Sequence, residues 1–294
     1  MVEDKGDKRE KLARDILFLA RDTIVVQFRF LDAAVNKMTL VSQPGIHGVM
    51  TDGKVLYYDA AFLLEAYKKE TASAARIYLH ILLHCIFSHW FGYGKLDEAL
   101  WDLAADIAVE ETILSMDLPG LSLERDREAA QQLQRLKQQI PVLTAEKIYR
   151  YFKLNGPSKN YEVELKRLFF VDRHESWRVK EISEPSKEEW KKISERIKAD
   201  LKSFSHGKTG EESLQKNLAE ATKDRYDYAA LLKKFVTMGE DISPSEDEFD
   251  YIYYTYGLEQ YGNMPLIEPL EYRESRKIKE FVIAIDTSAS CRGP

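Results

Sequence analysis

The run Tyr78-Leu-His-Ile-Leu-Leu-His-Cys-Ile-Phe-Ser-His89 sets the terms for any fold this chain can adopt. Ile77, Leu79, Ile81, Leu82, Leu83, Cys85, Ile86 and Phe87 place apolar groups on every side of a helix, so the segment has to lie at the centre of a core. Into that run the chain sets His80 and His84. At about 100° per residue, a four-residue step puts both imidazoles on one face, one turn apart. Two buried imidazoles without partners would cost about 1–3 kcal/mol each, so the fold must supply something that satisfies them. A lone histidine here would be an ordinary core residue. A pair in helical register, with His89 following, points to a metal site, because neutral imidazole is the commonest nitrogen ligand for zinc. Of six histidines in 294 residues, these three fall within ten positions, which chance alone explains poorly. The zincin signature H-E-x-x-H has the same spacing and uses its glutamate as general base. Here that position is Ile81.

The next segment, Asp97-Glu-Ala-Leu-Trp-Asp-Leu-Ala-Ala-Asp-Ile-Ala-Val-Glu-Glu111, reads as a second helix with Asp97 at its N-cap. Leu100, Leu103, Ile107 and Leu114 form its core stripe, with Asp106 and Glu110 flanking it and Asp102 pointing away. A carboxylate at the edge of a buried face needs a cation. Asp106 is the best third metal ligand, and its plain alternative is an ion pair with Arg76. His89 competes for the same role, but on an unbroken helix it lies about 180° from His80 and converges only if the helix turns first.

Around this pair the chain alternates helices with short breaks. Residues 8 to 36 carry Leu12, Ile16, Leu19, Ala20, Val26 and Phe30 at helical spacing, and a long helix is expected there. After Pro44-Gly45, Asp52-Gly53 predicts a type I′ hairpin within His47–Tyr58. That hairpin either covers the core or offers an edge strand beside a cleft, the arrangement that pairs with an extended peptide. His47 reads as a surface residue or one that supports a ligand. Helices are expected over 60–69, then over the His run with Thr71 or Ser73 at its start and Gly92 at its end. Further helices are expected over 126–139, from Thr144 to Phe152, and over 185–206, 210–221 and 225–238. Phe169–Trp177 reads as a solvated loop, although Asp172 and His174 could also support or join the metal site. The alternating aromatics of Phe249-Asp-Tyr-Ile-Tyr-Tyr-Thr-Tyr-Gly257, with Met264-Pro-Leu-Ile beyond, predict a β-hairpin.

Composition excludes several classes. A net charge of −6 and no basic block argue against nucleic-acid binding. No run approaches the ~18 apolar residues that span a bilayer, and the charged N-terminus is no signal peptide, so no membrane association is expected. Cys85 and Cys291 are far apart, which with the rest predicts a cytoplasmic protein without a disulfide framework.

At the C-terminal end an apolar strand, Phe281–Ile285, runs into Asp286-x-Ser288-x-Ser290. One carboxylate and two hydroxyls at a strand end suit a hard cation such as Mg²⁺. The motif resembles the first loop of the metal-ion-dependent adhesion site (MIDAS) of von Willebrand A domains, whose later loops are absent, so the chain is expected to be part of a longer protein.

The segments Met50–Tyr58, His80–His89, Trp101–Asp106, Tyr256–Pro269 and Phe281–Ser288 together make the chain resemble bacterial von Willebrand A-like proteins with an N-terminal metallopeptidase-like domain. The resemblance implies an α+β, predominantly helical fold. A zincin-like helical domain with a small β-hairpin would occupy residues 1–240, an aromatic connector 241–276, and the first strand of an α/β von Willebrand A-like domain 277–294. It also implies Zn²⁺ in the first domain, Mg²⁺ at the partial adhesion site, and association with a MoxR-type AAA+ ATPase and a protein or peptide client. The wider group carries Glu after the first histidine, so Ile81 is a departure that removes the proton acceptor for zinc-bound water. Three readings follow: a metal-binding pseudoenzyme acting as an adaptor or chaperone component; an active zinc peptidase whose base is relocated to Glu110 or Glu111; and a helical domain without metal.

Overall fold

Helix α1 (Val2–Gln27) carries Ala13, Leu17, Ala20 and Ile24 at steps of four and three residues, and these form the stripe that meets the core. The stripe differs from the one expected: Leu12, Leu19 and Val26 lie on the exposed side, Val26 at 81%. The helix also stops short of residue 36. Phe28 leaves helical geometry at φ −131°, and a 3-10 turn (Arg29–Leu31) and short helix α2 (Asp32–Val35) then turn Leu31, Ala34 and Val35 inward.

The computed structural model describes residues 2–91, 96–178, 184–204, 211–222, 237–241, 249–262, 264–269 and 273–277. Two compact units divide at Lys223 and Asp224.

In the first unit a three-stranded sheet follows α2: β1 (Thr39–Ser42), β2 (Val49–Thr51) and β3 (Val55–Tyr58), in the order β1-β3-β2. β3 is central, parallel to β1 with Thr39 opposite Val55, and antiparallel to β2 with Val49 opposite Tyr58. The expected β2–β3 hairpin is present, but its turn is not type I′. That turn needs positive φ at both central residues, and only Gly53, at +81°, has it. The Asp52 carboxylate instead accepts from the Lys54 and Val55 amides at 2.8 and 2.7 Å and closes the turn itself. Glycine is required at 53, because a Cβ there would lie 1.4 Å from the Trp90 ring.

Helix α3 (Ala60–Lys69) is capped by Asp59, which accepts from the Ala61 and Phe62 amides. Helix α4 (Ser73–Ile86) is the His helix, and all of its residues are buried, as its apolar periphery requires. Its N-cap is Ala72, without a side-chain bond, so neither Thr71 nor Ser73 caps it. α4 packs against α1, α3, the following helix α5 (Glu98–Ser115) and α9 (Glu184–Phe204). Asp97 caps α5 as expected, accepting from the Leu100 amide at 3.2 Å. Around α5 stand α6 (Asp126–Gln139), α7 (Ala145–Asn155), α8 (Lys159–Phe169) and α10 (Glu211–Ala221). α8 did not emerge from the sequence pattern. Ser158 starts it by accepting from the Tyr161 amide. The unit is thus predominantly helical with a small sheet.

In the second unit, β4 (Thr237–Asp241) pairs antiparallel with β5 (Arg273–Lys277). The aromatic run is not a hairpin. Residues Tyr251–Tyr261 form helix α11, because Asp250 accepts from the Ile252 and Tyr253 amides and nucleates a turn. Among the described residues of this run, extended pairing survives as a bridge between Phe249 and Pro269. The chain then folds back closely over Gly257, where a Cβ would lie 2.5 Å from the Leu266 amide. Gly92, most of the helix expected over 225–238, the strand Phe281–Ile285, and Asp286, Ser288, Ser290 and Cys291 lie outside the described residues.

Candidate metal centre

His80 and His84 project from one face of α4, as their spacing requires, and their Nε2 atoms lie 2.8 Å apart. α5 sets Asp106 against that face, with Oδ1 3.3 Å from Nε2 of each histidine. A fourth donor comes from the segment after α8. Asp172 Oδ1 is 3.3 Å from His80 Nε2 and 3.7 Å from His84 Nε2. These four residues are all buried, and their donor atoms lie within 4.8 Å of one another. Donors about 2.0–2.2 Å from a tetrahedral ion stand roughly 3.3–3.6 Å apart, so the set has nearly the spacing a single ion needs. Asp172 Oδ2 is buried and has no hydrogen-bond partner among the described residues, which leaves an acceptor that a cation would satisfy. The two nitrogens and two oxygens fit a metal ion, and no sulfur takes part.

Asp172 and His174 therefore do not belong to a solvated loop. Asp172 is fully buried and His174 is 4% exposed. The edge of the sheet puts them there. The Arg173 amide donates to the Val49 carbonyl at 2.8 Å, its Nη1 to the Ile46 carbonyl at 2.8 Å, and Ser176 Oγ to the Thr51 carbonyl at 2.6 Å. This strap, residues 170–178, forms a parallel bridge between Arg173 and Met50 and so covers the outer edge of β2. Trp177 stacks on the His174 ring at 3.7 Å between centroids and holds it inward. His174 Nε2 then sits 3.0 Å from Asp172 Oδ1 and 3.3 Å from Asp106 Oδ1, with Nδ1 3.4 Å from Asp102. His174 and Asp106 also line a cavity of about 440 Å³, together with Asp102, Lys166, Phe170 and Arg173.

Around the four donors stands a supporting layer. Glu110 Oε1 is 2.7 Å from His80 Nδ1, while its Oε2 meets Arg76 at 2.7 Å and Arg125 at 3.4 Å. Arg76 also meets Asp126 rather than Asp106. Burial alone would raise the Glu110 carboxyl, but Arg76, His80 and Arg125 outweigh it and hold it well below the carboxylate range. An ionised Glu110 accepts, so His80 keeps a proton on Nδ1 and is left with Nε2, facing Asp106, Asp172 and His84, as the nitrogen that would give up its proton to an ion. Glu111 lies with Lys137 at 2.8 Å and Ser213, away from these donors. His89 reaches the site because α4 does turn: Ser88 adopts φ +58° and sends the chain back, leaving His89 Nδ1 3.0 Å from His84 Nδ1. His47 is exposed, at φ +48°.

The electrostatics call for positive charge. Burial would lower His80, yet hydrogen bonds to Asp106, Asp172 and Glu110 lift it to about 10. His174 is likewise lifted well above the usual value by Asp172 and Asp106 against its burial. His84 and His89 go the other way, pulled down chiefly by burial. Asp106, which burial alone would raise, is held low by His174, His80 and His84. Protons on His80 and His174 balance the two aspartates when no ion does. A dication supplies the same charge.

A helical unit with a small sheet, built around an H-x-x-x-H helix and a buried His/Asp cluster, fits a metal-binding, peptidase-like module. The chain belongs to the family described as "Putative metallopeptidase domain", whose sequence profile matches residues 16–247. No curated protein and no solved structure matches it. Among the described residues no helix is long and apolar enough to cross a membrane.

Proposed function

We propose that this chain is a zinc-binding module of metallopeptidase descent that works as an adaptor or chaperone component with a MoxR-type AAA+ ATPase instead of cutting peptides. One observation carries the reading: His80, His84, Asp106 and Asp172 bring four buried donor atoms within 4.8 Å of one another, enough to complete a four-coordinate shell of the closed kind found in structural zinc centres. A catalytic centre keeps one position open for water. Two further facts support it. The residue where the zincin base would stand is Ile81, fully buried on another face of α4. The β2 edge that an extended substrate would pair with is covered by the strap. The ATPase partner and client rest on the family resemblance carried along the chain, and Mg²⁺ at Asp286, Ser288 and Ser290 on the C-terminal motif.

Elemental analysis of the purified chain is expected to give one zinc per protein and no cleavage of casein. Chelator-sensitive casein cleavage that disappears in His80→Ala would overturn the adaptor reading. The cavity favours a second reading in that event: a hydrolase in which the Asp102–His174 pair, 3.4 Å apart at the cavity wall, accepts the proton that Glu110 and Glu111 are not placed to take.

A further inference from the structure

The two metal-facing histidines differ on their far sides. His80 Nδ1 meets a carboxylate, Glu110, at 2.7 Å. His84 Nδ1 meets an imidazole nitrogen, Nδ1 of His89, at 3.0 Å. We propose that His89 is a positioning residue that fixes the tautomer of His84 by accepting its Nδ1 proton, an inference that rests on the metal reading above. For His84 to present a lone pair at Nε2, its one proton must sit on Nδ1 and be donated. The atom within reach is His89 Nδ1, which therefore carries a lone pair, with the proton of His89 on Nε2. The reverse direction places a proton on His84 Nε2, aimed at His80 Nε2 only 2.8 Å away, and closes that nitrogen to an ion.

The chain holds His89 in this place with some care. Ser88 takes up left-handed backbone, uncommon outside glycine, so that the chain doubles back beneath His84. Trp101 Nε1 donates to the His89 carbonyl at 2.9 Å, and the Trp101 and Phe87 rings pack against the imidazole. His89 is 2% exposed. His84 is thus clamped from α5 through Trp101, while His80 is clamped from α5 through Glu110.

Two substitutions separate hydrogen bonding from packing. His89→Phe keeps a ring and loses the acceptor; His89→Asn loses the ring but keeps an oxygen near the position of Nδ1. Zinc affinity of the full chain, measured by competition with a chromophoric chelator, is expected to fall on the order of 10–100-fold in His89→Phe and to stay close to wild type in His89→Asn. Imidazole ¹⁵N spectra of the chelated and zinc-loaded chain are expected to show the His84 proton on Nδ1, and that signature is expected to be lost in His89→Phe. Wild-type affinity in His89→Phe, or a His84 proton on Nε2 in the unsubstituted chain, overturns the positioning role alone. Equal losses in both variants would make His89 a ligand or a packing residue, and also overturn it. A wild-type chain that binds no zinc takes the metal reading down with it.

Discussion

The candidate metal centre stands partly on helices, which carry three of its four donors, and partly on a strap, which carries the fourth, and the two parts are held by different physics. His80, His84 and Asp106 sit on α4 and α5, whose backbones are rigid by their own hydrogen bonds and whose faces are fixed by core packing. Asp172 comes from residues without regular structure, placed by three hydrogen bonds to β2 and its preceding loop and by one stacked tryptophan. The helix half is set by the core in which its backbones are packed. The strap half contributes a charge whose position depends on a few borrowed contacts. A site divided in this way has a preformed floor and a closing fourth side.

The division can be tested from its strongest element downward. Arg76→Ala leaves Glu110 buried without the nearer of its two guanidinium partners, and a loss of about 3–5 kcal/mol in urea denaturation is expected. A near-neutral result would mean that Arg125 suffices and that the floor is less rigid than described. His84→Ala is expected to abolish stoichiometric zinc, whereas Asp172→Asn keeps one oxygen donor and is expected to weaken binding roughly tenfold, or ~1.4 kcal/mol. Equal losses would erase the distinction between floor and fourth side. In chelated protein the raised His80 pKa makes folding strongest below ~6.5, its ordinary value, and that contribution is lost as pH rises through about 10. Zinc affinity runs oppositely and falls with acid, since the same nitrogen must shed its proton. Melting temperatures of the chelated chain across this range check the first trend, and competition titrations the second. The smallest effect is expected for Ser176→Ala, which removes one bond to the Thr51 carbonyl and should cost ~1 kcal/mol while speeding proteolysis near the strap.

Much of the helix half was legible in the sequence because helical periodicity is local. The four-residue step of His80 and His84 and the capped start of α5 brought Asp106 to the right face without knowledge of anything distant. His89 was readable only as a conditional, since nothing in the sequence of Ser88 announces left-handed backbone. Asp172 and His174 stand next to Trp177 in a stretch whose local pattern reads as a solvated loop, because their burial depends on β2, a segment more than a hundred positions earlier. Local pattern also misled where two periods compete. Leu12, Leu19 and Val26 share a helical face as convincingly as Ala13, Leu17 and Ile24, and packing against α4 chose the second set. Alternate tyrosines suggested a strand, but a single capping carboxylate at Asp250 made a helix. Glu110 needed the fold to reveal that its partner was Arg76, on the helix before it.

The strap has a consequence for how this protein behaves in a crowd. An uncovered edge strand is a template on which another chain can add, the usual first step toward aggregates. Here the Val49 and Thr51 carbonyls are already taken by Arg173, which directly follows Asp172, and by Ser176 a few residues on. The residue that closes the candidate ion site and those that cover the β2 edge belong to one short stretch, so a displacement of that stretch as a whole would draw Asp172 out of the cluster and bare that edge together.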